Sequence, residues 1–220
     1  MSLAPIELET GPNPTATVLV MHGLGADGND FVPIARELDL SSIGPVRFVF
    51  PHAPVIPVTI NGGYPMPAWY DIAVADLVKR EDEAGLRRSQ ATIEGLIANE
   101  KQRGIAAGRI VVAGFSQGCA MALMTGLRHG ERLGGIVGLS GYLPLAETTV
   151  AERHAANRET PVFLAHGTRD GVVPIARALA SRDALVGLGY QVEWHDYPME
   201  HSVSMEEIAD LNAFLLRVLG

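Results

Sequence analysis

The 220-residue chain has one cysteine. No internal disulfide can form, and the composition fits a reducing compartment. Aromatic residues make up only 6%. No apolar run approaches the roughly 18 residues of a membrane-spanning helix, so no membrane span is expected. Basic residues are in the minority: 17 Lys and Arg against 25 Asp and Glu leave a formal net charge of −8. That balance disfavours nucleic acid and anionic membranes as partners. The segment Met1–Glu9 has neither a basic residue nor an apolar core, so no leader peptide and a cytoplasmic location are expected. There is no tandem repeat and no low-complexity tract. No His, Cys, Asp and Glu share metal-ligand spacing, so neither a metal nor a cofactor is expected. What remains is 47% hydrophobic and 19% charged, suited to one globular domain over residues 1–220 with a sizeable core.

The pattern along the chain alternates strand and helix. Apolar or β-branched runs at 17–21, 46–50, 110–114, 136–140 and 160–166 read as buried strands, and 191–197 alternates as a strand nearer a sheet edge. Residues 6–8 suggest a weak edge strand. Helices are expected at about 31–38, 87–102, 119–124, 174–188 and 204–219. Pro174 fits a first helical turn, and Ser204 with Glu207 forms a capping box. Residues 76–88, rich in charge, read as a solvated helix start, and 145–159 as irregular with a short helix. The whole implies an α/β fold: a mostly parallel, doubly wound sheet flanked by helices.

Chemistry concentrates at Arg109–Gly118. A buried strand stops at Gly114, Ser116 follows two residues later, and Gly118 opens a helix. Strand, Gly-x-Ser-x-Gly, helix is the nucleophile-elbow pattern. The tight turn projects the serine hydroxyl and leaves no room for flanking side chains. A helix N-terminus there can steady developing negative charge.

A second glycine loop, Gly23-x-Gly25-x-x-Gly28, also follows a strand. The spacing matches a dinucleotide-binding fingerprint. Asp27 and Asp30 would place negative charge beside a pyrophosphate, and the next strand ends in Pro51-His52 without an acid for a ribose. The alternative use is to supply one oxyanion-hole N–H. Residues 51–72 form a long Pro- and Gly-rich loop with aromatics. They read either as a substrate wall or, for Trp69 and Tyr70, as pins that hold the loop to the core.

Loops at the carboxyl ends of parallel strands share one edge of the sheet. Ser116, Asp170 and His201 all lie in such loops, in the chain order Ser, Asp, His of α/β hydrolases. Of seven histidines, His201 alone lies in the loop after the last strand. Asp196 rivals Asp170 but sits too close in sequence to His201. His201 would take the serine proton and Asp170 would fix its tautomer. Backbone N–H groups of Leu24 and Gln117 would form the oxyanion hole. Cys119 reads as a small packing residue.

Several stretches together resemble the carboxylesterase and acyl-protein thioesterase family of small α/β hydrolases. They are His22–Gly28, Pro65–Asp71, Gly114–Gly118, Leu139–Pro144, His166-Gly167 with Asp170 and Val173-Pro174, and His201. The resemblance implies an α/β-hydrolase fold without a large lid domain. It implies ester or thioester hydrolysis by Ser116, Asp170 and His201, with Leu24 and Gln117 as oxyanion donors. It also implies an open acyl groove, with Met66, Trp69, Tyr142 and Val173 expected on its wall. Cys119 stands where the family pattern has glycine. The expected activity is hydrolysis of short-to-medium acyl esters; alternatives are an acyl-protein thioesterase or lysophospholipase and, in another class, a non-catalytic binding module on this fold. A small-molecule ester or thioester is the expected partner, and a homodimer burying the aromatic loop is the expectation for assembly.

Overall fold

Residues buried on both faces cannot alternate in polarity, and the apolar runs of the sequence become the central strands of one sheet. The computed structural model describes residues 4–74 and 81–220. Its strands are β1 (Ile6–Glu9), β2 (Ala16–Met21), β3 (Val46–Phe50), β4 (Val55–Val58), β5 (Tyr64–Pro67), β6 (Ile110–Phe115), β7 (Gly135–Leu139), β8 (Val162–Gly167) and β9 (Val192–Tyr197). The helices are α1 (Val32–Glu37), α2 (Glu83–Gln102), α3 (Gln117–Arg128), α4 (Ala146–Glu152), α5 (Ile175–Gly187) and α6 (Met205–Leu219).

Seven strands pair in the order β1-β3-β2-β6-β7-β8-β9. All neighbours run parallel except β1, which lies antiparallel to β3 at one edge. After β3 the chain returns to the far side of β2 to lay down β6. The strand order therefore reverses between β2 and β6, a place where ligand crevices open at the carboxyl ends of parallel strands. Alternate residues of β2 face opposite layers. Leu19 and Met21 pack with Leu86, Ile93 and Ile97 of α2 and with the nearly all-buried α3. Val18 packs with Phe48, Ala35 of α1 and Leu211, Phe214 and Leu215 of α6. Near the β1 edge, Glu100 of α2 is buried but paired: Thr17 donates to it at 2.6 Å and Arg47 at 2.8 Å, while Arg47 also donates to Glu9 at 2.9 Å. No helix among the described residues is long and apolar enough to cross a membrane.

Four local expectations change. The loop at 51–72 contains an antiparallel ribbon, β4 paired with β5. Helix α2 starts at Glu83, ahead of the expected Arg87, because the Asp82 side chain caps it by accepting from Gly85 N–H at 2.9 Å. Residues 76–80 of the charged segment lie outside the described residues. Pro174 precedes α5 as its N-cap, with helical residues beginning at Ile175. The capping box closes on one side only. Ser204 Oγ accepts from Glu207 N–H at 3.2 Å, but the Glu207 carboxyl is buried and has no hydrogen-bond partner among the described residues.

Candidate active site

The elbow brings three chain segments closer than side chains allow. A Cβ on Gly114 would lie 2.1 Å from the Gly118 carbonyl oxygen, and one on Gly118 would lie 2.0 Å from that of Met21. Both distances are far inside van der Waals contact, so both positions require glycine. Ser116 sits between them at φ 55° and ψ −115°, a conformation that L side chains rarely adopt. The surrounding contacts hold it there, including its own N–H, which donates to the Leu139 carbonyl at 2.9 Å. Cys119 fits behind the elbow because its neighbours are glycines: a Cβ at Gly141 would meet Cys119 Cβ at 2.4 Å, and one at Gly138 its sulfur at 2.7 Å. Burial pushes the Cys119 thiol up to about 12, leaving it protonated and unreactive at neutral pH.

The sheet brings Ser116, His201 and Asp170 together. His201 Nε2 lies 3.0 Å from Ser116 Oγ, and its Nδ1 lies 2.7 Å from Asp170 Oδ2. The other carboxylate oxygen of Asp170 accepts the backbone N–H groups of Val172 and Val173, each at 2.8 Å. Asp170 is thus fixed at both oxygens. His166, fully buried at the end of β8, lies beneath it. Its Nε2 is 2.8 Å from the Val173 carbonyl and 3.4 Å from Asp170 Oδ2. Burial holds the His166 ring below the ordinary imidazole range, hence neutral. Phe115 supports the other side, its ring centroid 4.7 Å from that of His201. Asp196, the rival acid, is exposed and accepts from the Trp194 indole at 3.1 Å.

Gln117 is the first residue of α3, so its N–H belongs to the first turn, where no intrahelical acceptor exists. Its side chain makes a second connection that the motif did not reveal: Oε1 accepts from Trp69 N–H at 3.0 Å and Nε2 donates to the Tyr70 carbonyl at 2.9 Å. Across the cleft, Gly23 approaches so closely that a Cβ there would be 3.3 Å from Ser116 Cβ. Leu24, next in the chain, lines the same cleft.

That cleft encloses about 400 Å³ around Ser116 and His201, within the ~300–1,000 Å³ usual for small-ligand sites. Its walls are mostly apolar, from Leu24, Ile60, Ile72, Phe115, Val172 and Val173. Tyr70 and Tyr142 close one side with their hydroxyls 3.0 Å apart. Of the four expected wall residues, Tyr142 and Val173 line the cleft. Met66 and Trp69 are not among its lining residues. Trp69 is only 2% exposed; its indole donates to the His22 carbonyl at 2.9 Å and pins the loop to the core. Met66 lies in β5, where its sulfur is 3.4 Å from Asn61 Nδ2. The ribbon contributes Ile60 and Asn61 instead. A sequence read as unpaired loop could not place that turn. Trp69 and Tyr70 are buried within the chain, whereas Val55, Ile60 and Tyr64 of the same loop are exposed. Among the described residues, no group of three or more His, Cys, Asp or Glu could hold a metal ion.

The profile of the phospholipase/carboxylesterase family matches residues 6–219. The chain belongs to that family. An acyl-protein thioesterase 1 from Yarrowia lipolytica is 43% identical over 202 residues, covering 90% of this chain and 89% of that protein. The crystal structure of Zea mays acyl-protein thioesterase 2 superposes with a TM-score of 0.84 at 31% identity, covering 98% of this chain and 99% of that one. Arabidopsis thaliana SOBER1 superposes with a TM-score of 0.88 at 28% identity over 93% of this chain and 99% of that one. Like other phospholipase/carboxylesterase family members, this chain has the α/β-hydrolase fold and is a serine hydrolase.

Proposed function

We propose that the chain is a thioesterase that removes acyl groups from cysteine side chains of proteins or peptides, with Ser116, His201 and Asp170 as its catalytic residues. The observation that carries the reading is the unbroken contact chain from Ser116 Oγ through His201 to Asp170 at the mouth of an apolar cleft. The relatives favour the thioester over the short-to-medium carboxylic ester that the sequence put first: eight of them, 36–43% identical, carry the name acyl-protein thioesterase 1.

In this reading the acyl chain lies along the aliphatic walls and its carbonyl carbon rests against Ser116 Oγ. His201 Nε2 takes the hydroxyl proton as the oxygen attacks. The imidazolium that forms is stabilised by Asp170, whose second oxygen is occupied by two backbone N–H groups and stays in place. The carbonyl oxygen becomes an anion facing the Leu24 and Gln117 N–H groups, a low-dielectric donor pair of the kind worth ~10²–10³ in turnover per donor. The carbon–sulfur bond then breaks and His201 returns its proton to the departing thiolate. Water enters, gives its proton to His201 and attacks the acyl-enzyme, and the same groups release the carboxylic acid and restore the serine.

The test compares two peptides that differ in one atom: an S-acyl cysteine peptide and the matching O-acyl serine peptide, with wild type and Ser116→Ala. The expected result is a higher kcat/KM on the thioester, lost in Ser116→Ala. Preference for the oxygen ester would return the carboxylesterase reading. Equal behaviour of wild type and Ser116→Ala would return the non-catalytic binding module.

A further inference from the structure

His22 is 1% exposed and lies one residue before the glycine that touches Ser116. The mechanism above gives it no task. Both ring nitrogens nevertheless have fixed roles. The Ala53 backbone N–H points at Nε2 from 3.0 Å. A backbone N–H can only donate, so Nε2 carries the lone pair. The proton of the neutral ring is therefore on Nδ1, which faces the Gly23 carbonyl oxygen at 2.7 Å. The Trp69 ring packs against the imidazole at a tilt of 40°, with centroids 5.2 Å apart. Burial, aided by His52, holds the ring below the ordinary imidazole range against the opposing pull of the Gly23 carbonyl, Asp27 and Asp30.

The Gly23–Leu24 peptide is planar and trans, so its C=O and its N–H point in opposite directions. Fixing the carbonyl on one side fixes the Leu24 N–H on the other. The same carbonyl also accepts from Ala26 N–H at 3.3 Å, and the next peptide is anchored where Gly25 N–H donates to the Pro67 carbonyl at 2.8 Å. The Leu24 N–H has no acceptor among the described residues, while Leu24 itself lines the cleft beside Ser116.

We infer that His22 is a positioning residue for the oxyanion hole: its Nδ1–H holds the Gly23 carbonyl and thereby aims the Leu24 N–H at the site where the substrate oxyanion forms. The inference rests on the hydrolase reading of Ser116. It also gives the glycine loop a fixed peptide orientation where glycine alone would permit a flip.

Two isosteric substitutions separate the two ring nitrogens. The amide of His22→Asn can place an N–H near the Nδ1 position and donate to Gly23, but cannot reach Ala53. That of His22→Gln can place an oxygen near the Nε2 position and accept from Ala53, but leaves Gly23 without a donor. Kinetics on the thioester peptide, with active sites counted by burst titration, are measured beside the affinity for an acyl trifluoromethyl ketone. That compound forms a tetrahedral oxyanion on the serine. The expected result for His22→Gln is a kcat lower by about 10- to 100-fold with KM little changed, below the ~10²–10³ cost of losing a donor outright. Ketone affinity should fall in parallel, and His22→Asn should stay within about threefold of wild type by the same reasoning.

Equal losses in both variants, or a loss explained by fewer titratable sites, would overturn the inference. Nitrogen NMR of His22 in the wild type needs no substitution. At neutral pH it should show a neutral ring protonated on Nδ1, and a charged ring or the Nε2–H tautomer would overturn the inference equally. If the wild type itself turns over no substrate, the hydrolase reading fails first, and the NMR result still reports on the ring.

Discussion

Asp170 uses each carboxylate oxygen differently, one on two backbone N–H groups and the other on His201. An amide in its place cannot accept at both ends. Asp170→Asn either turns an NH₂ toward the Val172 and Val173 N–H groups or presents it to His201 Nδ1, forcing the proton onto the nitrogen that must accept from Ser116. The expected outcome is a kcat lower by roughly 10⁴, the size of the tautomer effect in serine proteases, with a nearly unchanged melting temperature. Steady-state kinetics beside thermal melting checks both. The meeting of Ser116, His201 and Asp170 was legible because their order along the chain and their places after strands are sequence properties. The wall was less so. Trp69 reads equally as a substrate wall or as a core pin, and the pin is decided only where the Gln117 side chain draws its backbone to the elbow and its indole reaches the His22 carbonyl. Nothing local in the sequence announces a contact between residues 48 positions apart.

Among elements, the β6–α3 turn is the most tightly determined. Gly118 lies so close to the end of β2 that a methyl group would overlap the Met21 carbonyl at 2.0 Å, and a backbone carbonyl in a central strand has nowhere to move. Gly118→Ala is expected to destabilise by ~1–3 kcal/mol or more, the cost of forced overpacking, and to reduce kcat because the displaced atoms carry Ser116. Urea unfolding and kinetics on the soluble fraction measure the two effects. Gly-x-Ser-x-Gly was legible as an element because it combines both glycines with the strand before and the helix after. The ribbon was not. Pro57, Pro65 and Pro67 lie in its two strands, and proline lacks the N–H that a ladder uses, so the segment reads as loop. The start of α2 was hidden for a different reason: its N-cap, Asp82, is one charge in a charged run, and what distinguishes it is that it accepts from the backbone N–H groups of Gly85 and Asp71.

For the whole molecule, the sheet and its two helical layers follow from the alternation of apolar strands with amphipathic helices, which is why the architecture was readable from composition and period. Buried polar groups were not readable in this way. Glu207 faces the interior without a hydrogen-bond partner among the described residues, and burial raises its carboxyl to about 8. Between its ordinary value of 4.5 and about 8, the folded protein keeps a proton that the unfolded chain has lost. Protons bound by the native state then exceed those bound by the unfolded state, so stability falls as pH rises through that window. Each tenfold difference in proton affinity between the two states corresponds to ~1.4 kcal/mol, so the effect is on the order of a few kcal/mol by pH 8. Glu207→Gln removes the titrating group. Its melting temperature should match or trail the wild type near pH 5 and exceed it increasingly toward pH 8. A constant difference across that range would show that Glu207 does not titrate there.

Everything proposed for the site depends on Ser116 being the nucleophile, and covalent labelling tests that most directly. Wild type and Ser116→Ala are incubated with an alkyl fluorophosphonate, digested, and the modified peptide is located by mass spectrometry while thioester turnover is followed in parallel. The expected result is one phosphonyl group per chain on Ser116, loss of turnover in step with labelling, and no adduct in the variant. An unlabelled wild type, or a label elsewhere that leaves turnover intact, would contradict it.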